Sequence, residues 1–291
     1  MLEGKIASEA RGLKSVLMVA HPGHEVRVHG WLEQAHPTIF ILTDGSGRLA
    51  QPRLHATSAY FSANGWKRGN VFGSFTDMSI YKLVLEHEHQ PFIEVARELA
   101  DFLIREEVDQ IAGDALEGYN STHDICRILI GAAVEMVNRT NDHEITNYDF
   151  PVVGRPDFCP EDLRENALFV QLDEETFVRK LAAAKTYYPE LLTEISRTFD
   201  KTEEGSYKRY LDHASKVDAK AKTMTLDNFR VECLRPADNR VGRNEFAKEK
   251  PFYEMHGERQ VEAGYYSQVI RFSKHIRPLF DSLWNYIEKH V

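Results

Sequence analysis

Hydrophobic positions along the first two-thirds of the chain follow two rhythms. Short runs rich in Val, Ile and Leu alternate with stretches where apolar residues return every third or fourth place. The runs at residues 15–20, 38–42, 70–72 and 108–112 read as buried strands, and residues 167–172 as a further one. Between the third and fourth, Phe92, Val95, Ala96, Leu99, Leu103 and Ile104 make the stripe of an amphipathic helix. Another helix is expected to start near Thr122, capped by that residue, with Ile125, Leu129, Ala132, Ala133 and Met136 inward. Residues 173–176 open one more, through Phe177, Leu181, Ala184 and Tyr188 to Pro189. Such alternation predicts parallel βαβ units: an α/β, Rossmann-like, mostly parallel sheet with helices on both faces.

The rhythm then fails. Residues 138–160 are polar, with Pro151, Gly154, Pro156 and Pro160, and read as a long irregular connection. Residues 191–291 are charged and expected to be a largely helical extension, packed on the α/β catalytic-type domain of residues 1–190. No linker or internal repeat separates the two.

Composition narrows the function classes. With 291 residues and a formal charge of -9, the chain has ample material for a core and is a poor candidate for a nucleic-acid or anionic-membrane surface. A small, neutral substrate suits it better. Cys126, Cys159 and Cys233 are odd in number and form no CxxC pair, the usage of a reducing compartment, and a cytoplasmic location is expected. No signal peptide or run of eighteen apolar residues is visible. A homo-oligomer is left open.

The candidate chemistry lies where strands end. His21 and His24 follow the first strand within one turn, and His123 opens the helix after the fourth. Loops at the carboxyl edge of a parallel sheet are where ligands collect. Three neutral imidazoles with an open fourth position are the donor set of a catalytic zinc, which polarises a carbonyl and acidifies bound water. On spacing alone, a cap and a solvated loop histidine explain His21 and His24 equally well. His87 and His89 alternate with Glu before a helix and read as a solvated face. Residues 253–266, polar and aromatic, read as a packed surface segment, or as a lid, a substrate-specificity element or an oligomer interface.

Ala20-His21-Pro22-Gly23-His24-Glu25 resembles the AHPDDE signature of the LmbE/PIG-L zinc-dependent de-N-acetylases, which remove acyl groups from N-acetylglucosamine-type sugars. Further motifs follow in that family's order. Leu42-Thr43-Asp44-Gly45 resembles its TDG turn, Phe75-Thr76-Asp77 its short motif ending in a sugar-contacting aspartate, and Asn120-Ser121-Thr122-His123 its HPDH-like motif. The likeness covers residues 13 to 190. It implies an LmbE/PIG-L-like fold, a metal (Zn2+ or another divalent transition metal) held by His21, His24 and His123, and an amino-sugar-type substrate contacted by Arg53, Asp77 and Tyr119.

Three departures stand out. His24 replaces an aspartate ligand, which leaves the metal its full charge. Gly23 stands where the family has its general base, and glycine takes no proton. Asn120 replaces a histidine that helps hold the oxyanion; its amide still donates. Glu25 is the first candidate to handle protons instead, with Asp44, Asp124 and Glu117 behind it. A shifted register would make Cys126 the third ligand in place of His123. The implied activity is hydrolysis of an N-acyl amino sugar or related small glycoconjugate. The alternatives are a metal-containing sugar-binding or accessory protein without chemistry, and a metal-free site with structural histidines.

Overall fold

In a computed structural model, residues 12–47, 51–141, 144–189, 206–243, 245–246 and 248–291 are described. Seven strands, β1 (Ser15–Val19), β2 (Thr38–Thr43), β3 (Lys67–Phe75), β4 (Gln110–Asp114), β5 (Thr146–Phe150), β6 (Leu168–Gln171) and β7 (Val231–Pro236), form one sheet in the order β3-β2-β1-β4-β5-β7-β6. The first five are parallel; β7 runs antiparallel to both its neighbours. The α/β class is as expected. The strand order turns at β1, whose neighbours β2 and β4 lie on opposite sides, and a crevice forms at such a point.

Alternation along β1 builds both layers of the core. Val16 and Met18 join the cluster packed by α4 (Gln90–Arg105), α5 (Ser121–Thr140) and α9 (Arg277–His290), while Leu17 and Val19 face α1 (His29–Ala35), α2 (Leu54–Asn64) and α6 (Glu174–Tyr187). A strand buried on both faces needs an apolar residue at every position, hence the unbroken run. Helix α9 buries Leu279, Phe280, Leu283 and Ile287, so the end of the chain closes one layer of the core.

Several expectations are corrected. Strand β3 spans nine residues, longer than residues 70–72; as the edge of the sheet it exposes Lys67, Arg68 and Asn70, which hid its length. Strand β5 lies inside the segment read as irregular. Its polar positions are satisfied sideways: Asn147 Oδ1 accepts from Arg127 Nη2, and Asp149 pairs with Arg235 at 2.7 Å. Strand β7 lies in the stretch read as largely helical, beside the helices α7 (Ser206–Ala214), α8 (Phe252–Glu262) and α9. Its buried Glu232 disguised it, held by Lys180 Nζ at 2.8 Å and by the Gly30 and Trp31 amides. The boundary at residue 190 lies outside the described residues. Helix α5 is capped by Asn120, whose Oδ1 accepts from the Thr122 amide at 2.8 Å, and not by Thr122. Among the described residues, no helix is long and apolar enough to cross a membrane.

Candidate functional site

Strand β1 ends in apolar core, and the chain must turn sharply to keep the next residues at the sheet edge. Gly23 makes that turn with φ 106°, in the left-handed region where a side chain is strained. It leads into a short helical turn, His24–Val28, that brings His24 back beside His21. From the neighbouring strand, β4 and the capped start of α5 bring in His123. The three buried imidazoles stand ring to ring, with centroids 5.2 Å (His21 to His24), 5.1 Å (His21 to His123) and 4.6 Å (His24 to His123) apart.

Each ring's outer surroundings set what it offers. His24 Nδ1 lies 2.8 Å from Asp114 Oδ2, which also accepts from the Ala20 amide at 2.8 Å. His21 Nδ1 sits between Thr43 Oγ1 at 2.8 Å and Asp77 Oδ1 at 3.1 Å. A carboxylate on Nδ1 fixes the proton there and leaves Nε2 bare. His123 Nδ1 is buried without a hydrogen-bond partner. Burial pushes the pKa of His24 down against the pull of Asp114; burial, together with the other two histidines, pushes that of His123 well down, so both rings are neutral near pH 7.

Neutral imidazoles are the form that binds a divalent metal, and three of them on a tetrahedral zinc would have ring centres about 5 Å apart. In ring spacing, and in the outer partners of His21 and His24, the set fits such an ion. Among the described residues, however, no group of three or more His, Cys, Asp or Glu side chains meets the geometry of a metal centre. The rings are gathered, and their donor atoms are not drawn to one point.

A cavity of about 360 Å³ opens on the three histidines. Arg53, Asp77, Tyr119 and Asn120 line it with them, so these sequence-derived positions come together. Their roles differ from expectation. Asp77 is spent on His21 and on the Gly47 amide, which together hold its carboxyl far below the usual range despite burial. Arg53 gives Nε to the Gly45 carbonyl at 2.9 Å, and among the described residues no hydrogen bond holds its terminal nitrogens. Asn120, with Oδ1 on the Thr122 amide, has only its NH2 to offer. Tyr119 stacks on Phe252 of α8, with centroids 5.6 Å apart, so the 253–266 segment begins directly behind the cavity wall.

The remaining carboxylates turn away. Glu25 is fully buried, accepts from the Gly23 amide at 2.7 Å and from the Tyr188 hydroxyl, and is not among the lining residues. Burial raises its pKa from 4.5 to about 7. It braces the turn. Asp44 accepts from the Ser46 amide at 2.9 Å and shapes the loop after β2. Asp124 takes the Glu117 and Gly118 amides, and Glu117 those of Val152 and Val153. Cys126 is buried in the core with Ile125 and Ile128, its thiol pushed well up by desolvation, and does not line the cavity.

Two residues escaped the sequence. Asp114 closes β4, and a carboxylate at the end of a buried apolar strand was the available signal. Tyr81 stands one helical turn after Asp77 on α3 (Asp77–Leu85), lines the cavity and faces the side chains of Thr122 and Asn120.

No protein-family model matches the chain, and no curated protein matches it. Seven solved chains do. The antimicrobial reagent A40926 pseudoaglycone deacetylase Dbv21 is similar at 14% identity and a TM-score of 0.45, over 77% of this chain and 96% of that one. The conserved protein TT1542 from Thermus thermophilus is similar at 16% identity and a TM-score of 0.43, over 77% and 93%. The zinc-inhibited form of teicoplanin deacetylase Orf2 is similar at 12% and 0.42, over 77% and 97%. Likeness of this degree assigns neither a residue nor an activity.

Proposed function

We propose that the protein is a metal-dependent hydrolase, with zinc as the first candidate metal, that removes the acyl group from an N-acyl amino sugar or related small glycoconjugate. The observation that carries this is the buried cluster of His21, His24 and His123, two of whose rings have a carboxylate on Nδ1, opening on one cavity. These three would hold the ion, which when bound polarises an amide carbonyl and acidifies water. The protein's own groups do the rest. Asp114 on His24, and Thr43 with Asp77 beside it on His21, would keep Nε2 of the two rings bare. The Asn120 NH2 would donate to the carbonyl oxygen as charge develops on it. Arg53 offers terminal N–H groups to sugar hydroxyls, and Tyr119 a ring face to the sugar's carbon skeleton.

The test is hydrolysis of a panel of N-acyl glucosamines by purified, zinc-loaded protein, read as free amine. Turnover should vanish with a chelator and return with zinc. A specific observation keeps a second reading in play: Asp77 is the sole carboxylate among the described lining residues, and it is already committed. Loss of one acid-base group lowers rates by about 10²–10⁴. Sugar binding without turnover across the panel would make this a metal-containing binding protein.

A further inference from the structure

The cavity is graded, and the gradient follows the strand order. After β2 and β3, at one end of the sheet edge, come Arg53 and Asp77. After β1 and β4, in the middle, come the three histidines and Asn120. After β5 come Val152 and Val153, and just before β7 come Leu226 and Phe229.

Two cations border this last flank, yet both are used by the protein. Lys180 Nζ bonds Glu232 at 2.8 Å and the Arg27 and Phe229 carbonyls at 2.9 and 3.3 Å. Arg27 donates to the Pro151 and Gly154 carbonyls and lies over the Phe229 ring, 5.0 Å from its centre. Among the described residues, what the flank presents to a ligand is mainly carbon: Val152, Val153, Leu226 and Phe229. An amide held at the histidines has its sugar on one side and its acyl group on the other. Arg53, which gives only its Nε to the Gly45 carbonyl, stands at the β2 and β3 end, whereas Arg27 on the flank gives Nε and Nη2 to the chain, so the sugar belongs with Arg53.

From this placement we infer that the apolar flank between the β5 loop and the residues before β7 receives the acyl arm, and that the arm is an aliphatic chain several methylenes long, not acetyl. The inference rests on the hydrolase reading for its reaction. Water adds its oxygen to the acyl carbon, the C–N bond breaks, and the water protons end on the departing amine and the released acid, giving a fatty carboxylate and the amino sugar. Each methylene buried against such a wall tightens binding about fourfold.

Two probes, N-octanoyl-glucosamine and N-acetylglucosamine, test it on the zinc-loaded full chain, by kcat/KM and by titration calorimetry. The octanoyl compound should be preferred at least tenfold. Leu226 is 47% exposed, so Leu226→Asp leaves the core packed and should cut that preference about tenfold, with Leu226→Ala between. Equal or weaker binding and turnover of the octanoyl compound overturns the proposal, as does a preference that Leu226→Asp leaves unchanged. If neither compound is hydrolysed but the octanoyl one binds tenfold tighter in a Leu226-dependent way, the arm site stands and the hydrolase reading falls.

Discussion

Two histidine groups in this protein look alike in outline and differ in what stands behind the rings. His21, His24 and His123 have centroids 4.6 to 5.2 Å apart; His87 lies 5.7 Å from His89 and 5.5 Å from His275. In the first group, Asp114 sits on Nδ1 of His24, and Thr43 with Asp77 on Nδ1 of His21, so in these two rings the proton is kept on that side and Nε2 is bare. In the second, His275 Nδ1 accepts from the Arg271 amide at 2.8 Å, which puts its proton on Nε2, and His89 Nδ1 meets the Ser282 hydroxyl at 2.7 Å. His87 is exposed, whereas the first three rings are buried at the edge of a parallel sheet. Proximity of imidazoles is therefore not what singles out the first group as the proposed metal site; a carboxylate beside two of its rings and a cavity in front of them make the difference.

The contrast can be broken outright by elemental analysis of tag-free protein. His24→Ala and His123→Ala should lose bound zinc, while His87→Ala and His275→Ala should retain one per chain; the reverse pattern would make the surface group the site. Next in size is a pH effect behind the first group. The pKa of Glu25 is raised to about 7 by burial, so the stability it supports is complete below its unfolded value near 4.5 and is lost as pH rises through 7. Such a shift corresponds to about 3 kcal/mol. Glu25→Gln should flatten the fall between about pH 4.5 and 7 in urea melts, and an undiminished fall in that variant would contradict the assignment. Asp114→Asn removes the carboxylate from His24 and should weaken zinc binding about 10- to 100-fold by competition with a chelator dye. At the small end, Ser282→Ala, which strips His89 of its partner, should change zinc binding not at all and stability by about 0.5 kcal/mol or less.

How far the chain could be read follows from where its groups find partners. Strands β1, β2 and β4 are buried on both faces, so each carries its own apolar signature, and the turn after β1 is marked by Pro22-Gly23. Strands β5 and β7 were invisible because Asn147, Asp149 and Glu232 are polar for reasons that lie across the sheet, in Arg127, Arg235 and Lys180. Asn120 was legible as a polar residue at a helix start, but its half-occupied amide was not. Glu25 adjoins the site in sequence and points into the core, toward Tyr188, a partner 163 residues away.

By itself, the sequence determined the α/β class, the strands that carry His21, His24 and His123, and the absence of a carboxylate at Gly23. These are local properties: periodicity, turn chemistry and residue identity act within a few positions of one another. Only the tertiary structure decided which nitrogen of His21 and His24 is bare, which carboxylates face the cavity, and that the described wall beyond the histidines is mainly carbon despite Arg27 and Lys180. Those depend on groups far apart in the chain, since a hydrogen bond or ion pair commits an atom wherever its partner comes from. Gly23 belongs to both accounts. Its lack of a side chain is written in the sequence, and its φ of 106° shows why the fold accepts glycine there.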